Sequence, residues 1–288
     1  MRHKPSDSQS NKPVLPSVVG NVTDASAWQN GVCGRYIGHV EQDLHDKAVV
    51  NIFGFNALQM GAEHLDLLMQ SRIANRYKLV STKLTSVGKW LPPQSSQQTV
   101  FCDDDFLPFS EMSVDVLLLP HRLEFSTRPH QTLREAERVL MPEGHLLITG
   151  FNPMSLWGIK AMRMRLTKKK SAVDYPWNGR FIGLTRLKEW LSLLGFEVVS
   201  QQVAAFVPPL ESVAWHRRLS FFDRFACKYL NAFGGVYFIV AKKRVVGMTP
   251  IKPDWKKNAV KSRLVASQPS GHQQAPSQNN TKNIQETY

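Results

Sequence analysis

The chain has 288 residues, of which 42% are apolar and 20% charged, and its formal net charge is +13. This composition excludes a wholly disordered chain, and the length suits one large domain or two small ones. No apolar run reaches the ~20 residues that a bilayer-spanning helix needs.

Residues 1–17 are polar and contain Pro5, Pro13 and Pro16, without the apolar stretch of a signal peptide. Residues 1–25 are therefore expected to be a disordered N-terminus. From about Cys33 to Ile52 the apolar positions Tyr36, Ile37, Val40, Leu44 and Ala48 recur at three and four residues, the period of a helix packed by one face. NALQMG then reads as a short strand ending at Gly61. Residues 62–73 carry Leu65, Leu68 and Met69 at helical spacing. YKLVS and TVFCD are two further strands, the second ending in acid.

SVDVLLLP is a continuous apolar strand of the kind buried on both faces of a parallel sheet. RPHQTLREAERVLM follows as a helix with Leu133, Ala136, Val139 and Leu140 inward, and PEGHLLITG is a turn and another apolar strand. Strand, helix and strand at this spacing form a βαβ unit. SLWGIKAMRMRL reads as a helix carrying basic residues, and LTRLKEWLSLLG as an amphipathic helix ended by Gly195. FEVVSQQV is a strand, RRLSFFDRFACKYL an extra helix, and GGVYFIVAKKR a last strand. No crossover separates the two late strands, so one of them is expected to run antiparallel. The alternation predicts an α/β three-layer sandwich over residues 26–245. Residues 246–288, rich in Gln, Ser, Asn, Pro and Lys, are read as a disordered basic tail.

Most of the excess charge lies in two places. Six basic residues and no acid fall between 160 and 170, and residues 246–288 hold six basic residues and two acids. Such a field attracts anions, so nucleic acid or an anionic membrane is an expected contact through 160–170, and a substrate meeting it is expected to be anionic. Cys33, Cys102 and Cys227 form no CxxC pair, which points away from a disulfide framework or a metal site and towards the cytoplasm.

In an open α/β sheet, ligands bind beyond the carboxyl ends of the strands. The candidates are then Gly61 and Ala62; Ser81 and Thr82; Asp103, Asp104 and Asp105; Pro120 and His121; and Gly150, Phe151 and Asn152. A nicotinamide enzyme would show GxGxxG and an acid about 20 residues later, and this chain has neither.

The segments CDDDFLPFSEMSVDVLLLPHRLEF and LREAERVLMPEGHLLITGFNP resemble the second half of a class I S-adenosylmethionine-dependent methyltransferase domain of the type 11 kind. Asp103, Leu107, Pro108, Phe109, Asp115, Arg134, Glu135, Arg138, Val139, Leu140, Pro142 and Gly144 stand in the places of that pattern. GFNPMSLWG resembles an uncharacterised bacterial branch of it. The resemblance covers about residues 55–244 and is densest over 101–158. It implies a Rossmann-like fold, a mostly parallel seven-stranded sheet with an antiparallel last strand, and S-adenosylmethionine as cofactor. It also implies in-line methyl transfer to an acceptor that the sequence does not name.

Carried over by position, the resemblance implies cofactor contacts at Gly61, Ala62, Ser81, Asp103, Asp104 and His121. Asp103 stands as the acid for the adenine amino group, and His121 as a catalytic group near the methyl. Two of the family's features are missing: the later glycines of GxGxG after Gly61, and an acid at the end of the second strand, where Ser81 and Thr82 stand. Those gaps leave a second reading, a methyltransferase-like fold that no longer catalyses and acts as a basic binding module. Asp115 is expected to be structural and Trp157 to pack. Asn152-Pro153 resembles the substrate motif of amino methyltransferases without its Pro-Pro-Tyr ending.

Overall fold

Strand β4 (Val114–Pro120) lies at the centre of the sheet because both its faces are apolar. Val116 and Leu118 point to one side and Leu117 and Leu119 to the other, all fully buried. A computed structural model describes residues 27–81, 97–103, 105–167, 175–216, 218 and 233–244. Around β4 it places β1 (Asn56–Met60), β2 (Asn75–Ser81), β3 (Gln98–Cys102), β5 (Leu140–Phe151), β6 (Phe196–Ala204) and β7 (Val236–Lys243) in the order β3-β2-β1-β4-β5-β7-β6. Strands β1 to β5 pair in parallel, and β7 runs antiparallel to both β5 and β6. This is the three-layer, Rossmann-like sandwich expected from the sequence, with its antiparallel last strand.

Helix α1 (Val32–Val49) covers one face: Leu44 and Val49 pack with Ala57, Val116, Leu118, Leu147 and Phe238. On the other face α3 (Pro129–Val139) brings Leu133, Ala136 and Val139, and α5 (Leu184–Leu193) brings Leu187 and Leu191, against Leu58, Leu117, Leu119 and Ile148. Gly195, at φ +78°, ends α5 as expected, in the left-handed conformation that glycine adopts without steric cost. A third cluster at the end of β5 joins Ile37, Phe151, Trp157 and Trp177. It receives α4 (Leu156–Thr167), while the one-turn helix α2 (Arg122–Phe125) follows β4 directly.

Residues 62–73 depart from the expected helix and form a chain of turns. The cause is two buried side chains beneath them. The Gln59 amide donates to the carbonyls of Gly61, Ala62 and Leu65, at 3.2, 3.3 and 3.0 Å, and its oxygen accepts the Leu67 N–H at 3.1 Å. The Lys78 ammonium donates to the carbonyls of Glu63 and Leu65, at 3.1 and 3.0 Å. Carbonyls drawn inward this way do not form a helical ladder. The apolar residues anchor singly: Leu67, Leu68 and Ile73 are buried while Met69 is exposed, a pattern without the 3.6 period. The expected helix at 217–230 lies almost wholly outside the described residues, as do the two expected disordered ends.

Gln59→Leu should cost about 2–4 kcal/mol, because it strands the Leu67 N–H and several buried carbonyls at once. Urea unfolding checks this, and a midpoint equal to that of the parent would contradict it.

Candidate cofactor cleft

Strand order reverses between β1 and β4, so the crevice opens beyond their carboxyl ends. Gly61 takes φ +109°, and a Cβ on it would sit 2.4 Å from the Pro120 carbonyl oxygen. A glycine is therefore required here by the close approach of the β1 turn to the end of β4. Ala62, at φ +44°, packs against the apolar cluster under α1, away from the crevice.

Ser81 ends β2. It is 4% exposed, and its hydroxyl has no hydrogen-bond partner among the described residues. An unpaired buried hydroxyl costs about 1–3 kcal/mol, so this group has unused capacity for a ligand. Asp103 follows β3, bridges to Phe106, and accepts the Asp105 N–H on Oδ1 at 3.3 Å. The loop after it is clamped to α3. The Arg138 guanidinium donates to Glu135 Oε2 at 2.9 Å and to the carbonyls of Leu107 and Phe109, at 3.1 and 3.0 Å. Glu135 Oε2 in turn accepts the Leu107 N–H at 3.0 Å. The hydrogen bond from Arg138 is the main cause holding the Glu135 carboxyl below its ordinary value. The Leu-Pro-Phe and Arg-Glu-x-x-Arg pattern is thus a clamp that fixes the chain beyond Asp103. Asp104 lies outside the described residues.

His121 is not placed as the sequence suggested. It sits in the left-handed region at φ 51°, which turns the chain from β4 into α2 and sends the imidazole inward. There Nδ1 donates to Glu124 Oε2 at 2.8 Å and Nε2 donates to Glu41 Oε1 on α1. Glu124 Oε1 also accepts the Phe151 N–H. All three side chains are buried. Burial by itself would lower the His121 pKa, but the flanking Glu41 and Glu124 carboxylates outweigh it and hold it up at about 10. Burial would raise Glu41, and His121 outweighs that, leaving this carboxyl below its ordinary range. For Glu124 burial is the larger effect and pushes the carboxyl up despite His121 and the Phe151 N–H. An imidazolium with both N–H groups engaged has no lone pair to take a proton, so His121 is not a general base here.

Neighbouring His45 is the neutral counterpart. Its Nδ1 lies 2.9 Å from the Glu41 carbonyl and must donate, so Nε2 is the acceptor for the Thr149 hydroxyl at 3.2 Å. Burial pushes its pKa down to about 4.

Arg122, the next residue after His121, is buried beside the β1 turn. It is 9% exposed, its Cβ borders Gly61, and Glu63, Cys102 and Asp103 act on its charge. Sequence reasoning missed Glu41, Glu124 and Arg122. Glu41 had a signal: it stands four residues after Ile37, on the apolar stripe itself, where a charge needs a buried partner. Asp115 accepts the N–H groups of Phe55 and Asn56, at 2.7 and 2.9 Å, and so fixes the start of β1. Trp157 is buried and donates to the Val207 carbonyl at 2.9 Å. Asn152 closes its own loop, donating to Gly234 and accepting from Met154.

The strand order, with its switch point between β1 and β4, and the antiparallel last strand together define a Rossmann-like domain. The family model described as a methyltransferase domain matches residues 76–148. The uncharacterized protein YafS of Escherichia coli is 32% identical over 218 residues, which are 75% of this chain and 80% of that one. A solved S-adenosylmethionine-dependent methyltransferase of Thermotoga maritima, described as a possible histamine N-methyltransferase, superposes with a TM-score of 0.51 at 15% identity, covering 77% of this chain and 96% of its own. The chain belongs to the class I S-adenosylmethionine-dependent methyltransferases. It is an enzyme of that class, and S-adenosylmethionine is its cofactor.

Two histidines with opposite shifts shape stability against pH. Between about 4 and 6.5 the unfolded chain binds a proton at His45 that the folded chain refuses, so stability rises with pH. Between 6.5 and about 10 the folded chain keeps a proton on His121 that the unfolded chain has lost, so stability falls. Denaturation midpoints should peak near pH 6.5. His45→Gln should make the acid arm between pH 5 and 6.5 shallower, with His64 and His145 still contributing to it, and a parent profile flat from 7 to 10 would contradict the ion network.

Proposed function

We propose that this chain transfers a methyl group by in-line displacement, with the cofactor laid across the carboxyl ends of β1, β2, β3 and β4. The observation that carries this reading is the buried hydroxyl of Ser81 at the β2 end, which has no partner among the described residues. The cofactor's ribose offers hydroxyls of matching chemistry, and a hydroxyl can serve as donor or acceptor to them where the family usually places an acid. The Asp103 carboxylate is suited to accept from the adenine amino group. Arg122 offers a cation for the carboxylate of the amino-acid end, and Gly61 keeps the β1 turn seated on Pro120 so that the crevice floor stays flat. S-adenosylmethionine, when bound, supplies a methyl on a sulfonium centre.

The chain's own contribution is alignment. Holding the reactants in line is worth on the order of 7–11 kcal/mol in well-oriented systems. The imidazolium of His121 takes no proton, so the acceptor is one that arrives with its lone pair available. Its positive charge is neutralised by Glu41 and Glu124, which keeps a repulsive cation away from the sulfonium. The same reading puts the enzyme in the cytoplasm, and it is supported by Cys33 and Cys102, which are buried and unbridged.

Titration of the full chain with S-adenosylhomocysteine tests the site. Micromolar binding is expected, weakened about 10- to 100-fold by Asp103→Ala, since a hydrogen bond to a charged group is worth roughly 1.5–3 kcal/mol. Ser81→Ala should weaken binding about tenfold while leaving the stability of the free chain unchanged or slightly higher, because it removes an unsatisfied group. Absence of binding at millimolar ligand, or a Ser81→Ala chain that binds as the parent does, would overturn the reading.

A further inference from the structure

A surface helix normally turns its apolar stripe to the core. Helix α4 carries apolar residues on its outward side as well. Leu156, Ile159, Met162 and Leu166 fall within one third of its circumference and are 53%, 52%, 64% and 75% exposed. Met154, just before the helix, is 71% exposed. The inward side is made by Trp157, Gly158 and Ala161, with Met164 partly buried against the same cluster.

The charges are arranged around that stripe. Arg163 lies within it and is exposed. Lys160 and Arg165 flank it, tied down by their own contacts. The Lys160 ammonium is 2.8 Å from the Pro209 carbonyl and 4.6 Å over the Trp177 ring, and Arg165 donates to the Trp177 carbonyl at 3.1 Å. Six basic residues and no acid fall between 160 and 170. A helix anchored by its inner side, with further apolar residues outward and cations beside them, is suited to lie against a lipid interface, its outward apolar side chains among the acyl chains and its cations at anionic headgroups.

We infer that the outward face of α4 docks on an anionic phospholipid bilayer. Charge complementarity selects the anionic surface, and the apolar stripe selects lipid over nucleic acid. Leucine, isoleucine and methionine gain nothing against phosphates, and the outward face of α4 carries no aromatic ring on which a base could stack. The helix begins five residues after β5, so docking brings the carboxyl edge of the sheet close to the bilayer.

The test is flotation of the full chain with vesicles of phosphatidylcholine alone or mixed with phosphatidylglycerol. The chain should float with the mixed vesicles only, and less so as salt rises. Arg163→Glu should weaken binding about five- to thirtyfold, and the pair Ile159→Ser and Leu166→Ser at least about tenfold. These side chains are exposed, so thermal melting should match the parent, and Met162→Gln, which keeps helix propensity, provides a second apolar removal. Failure to float with anionic vesicles would overturn the inference. So would flotation unaffected by any of the apolar substitutions, and binding to an oligonucleotide with the same indifference would identify a nucleic-acid surface instead.

Discussion

Two carboxylates from different elements close on one imidazolium at the carboxyl edge of the sheet. Glu41 comes from α1, Glu124 from α2 and His121 from the end of β4, and Glu124 also holds the backbone of Phe151 at the end of β5. Each of these charges is costly to bury alone, by several kcal/mol after relaxation. Together they satisfy one another, and their joint geometry fixes where α1 lies across the sheet. Removing any one partner would leave an uncompensated charge in the interior, which is why the three behave as a unit.

That unit also settles the division of labour around β4. The left-handed turn at His121 costs on the order of 1–2 kcal/mol for a residue with a side chain. It directs His121 into the protein and sets the Arg122 Cβ beside Gly61. A side chain that looks like a base by position is thereby a structural cation. Carboxylates elsewhere do comparable structural work: Asp115 holds the start of β1, and Glu135 with Arg138 holds the loop beyond Asp103. Several of the residues through which the family was recognisable are thus groups that shape the cleft without entering it.

The parallel core was legible because its signal is local. Apolar runs such as 114–120 and 146–151 have one energetically reasonable fate, burial between two helical layers. The helix at 62–73 was misread because the signal that decides it is not local. Leu65, Leu68 and Met69 have helical spacing, but Lys78 on the neighbouring strand, together with Gln59 at the end of β1, captures the carbonyls that a helix would use. Ser81 shows the same limit in the site. Its position at a strand end could be read, whereas the burial of its hydroxyl without a partner among the described residues emerges only in the folded chain.

The sequence by itself determined the order of elements, the central apolar strands, the antiparallel ending and the acid after β3, since these follow from periodicity and from spacing along one chain. Only the tertiary structure decided which polar groups meet. Glu41 and His121 are 80 residues apart. Their protonation depends on the desolvation and charge each imposes on the other, and neither quantity exists until the chain between them has folded.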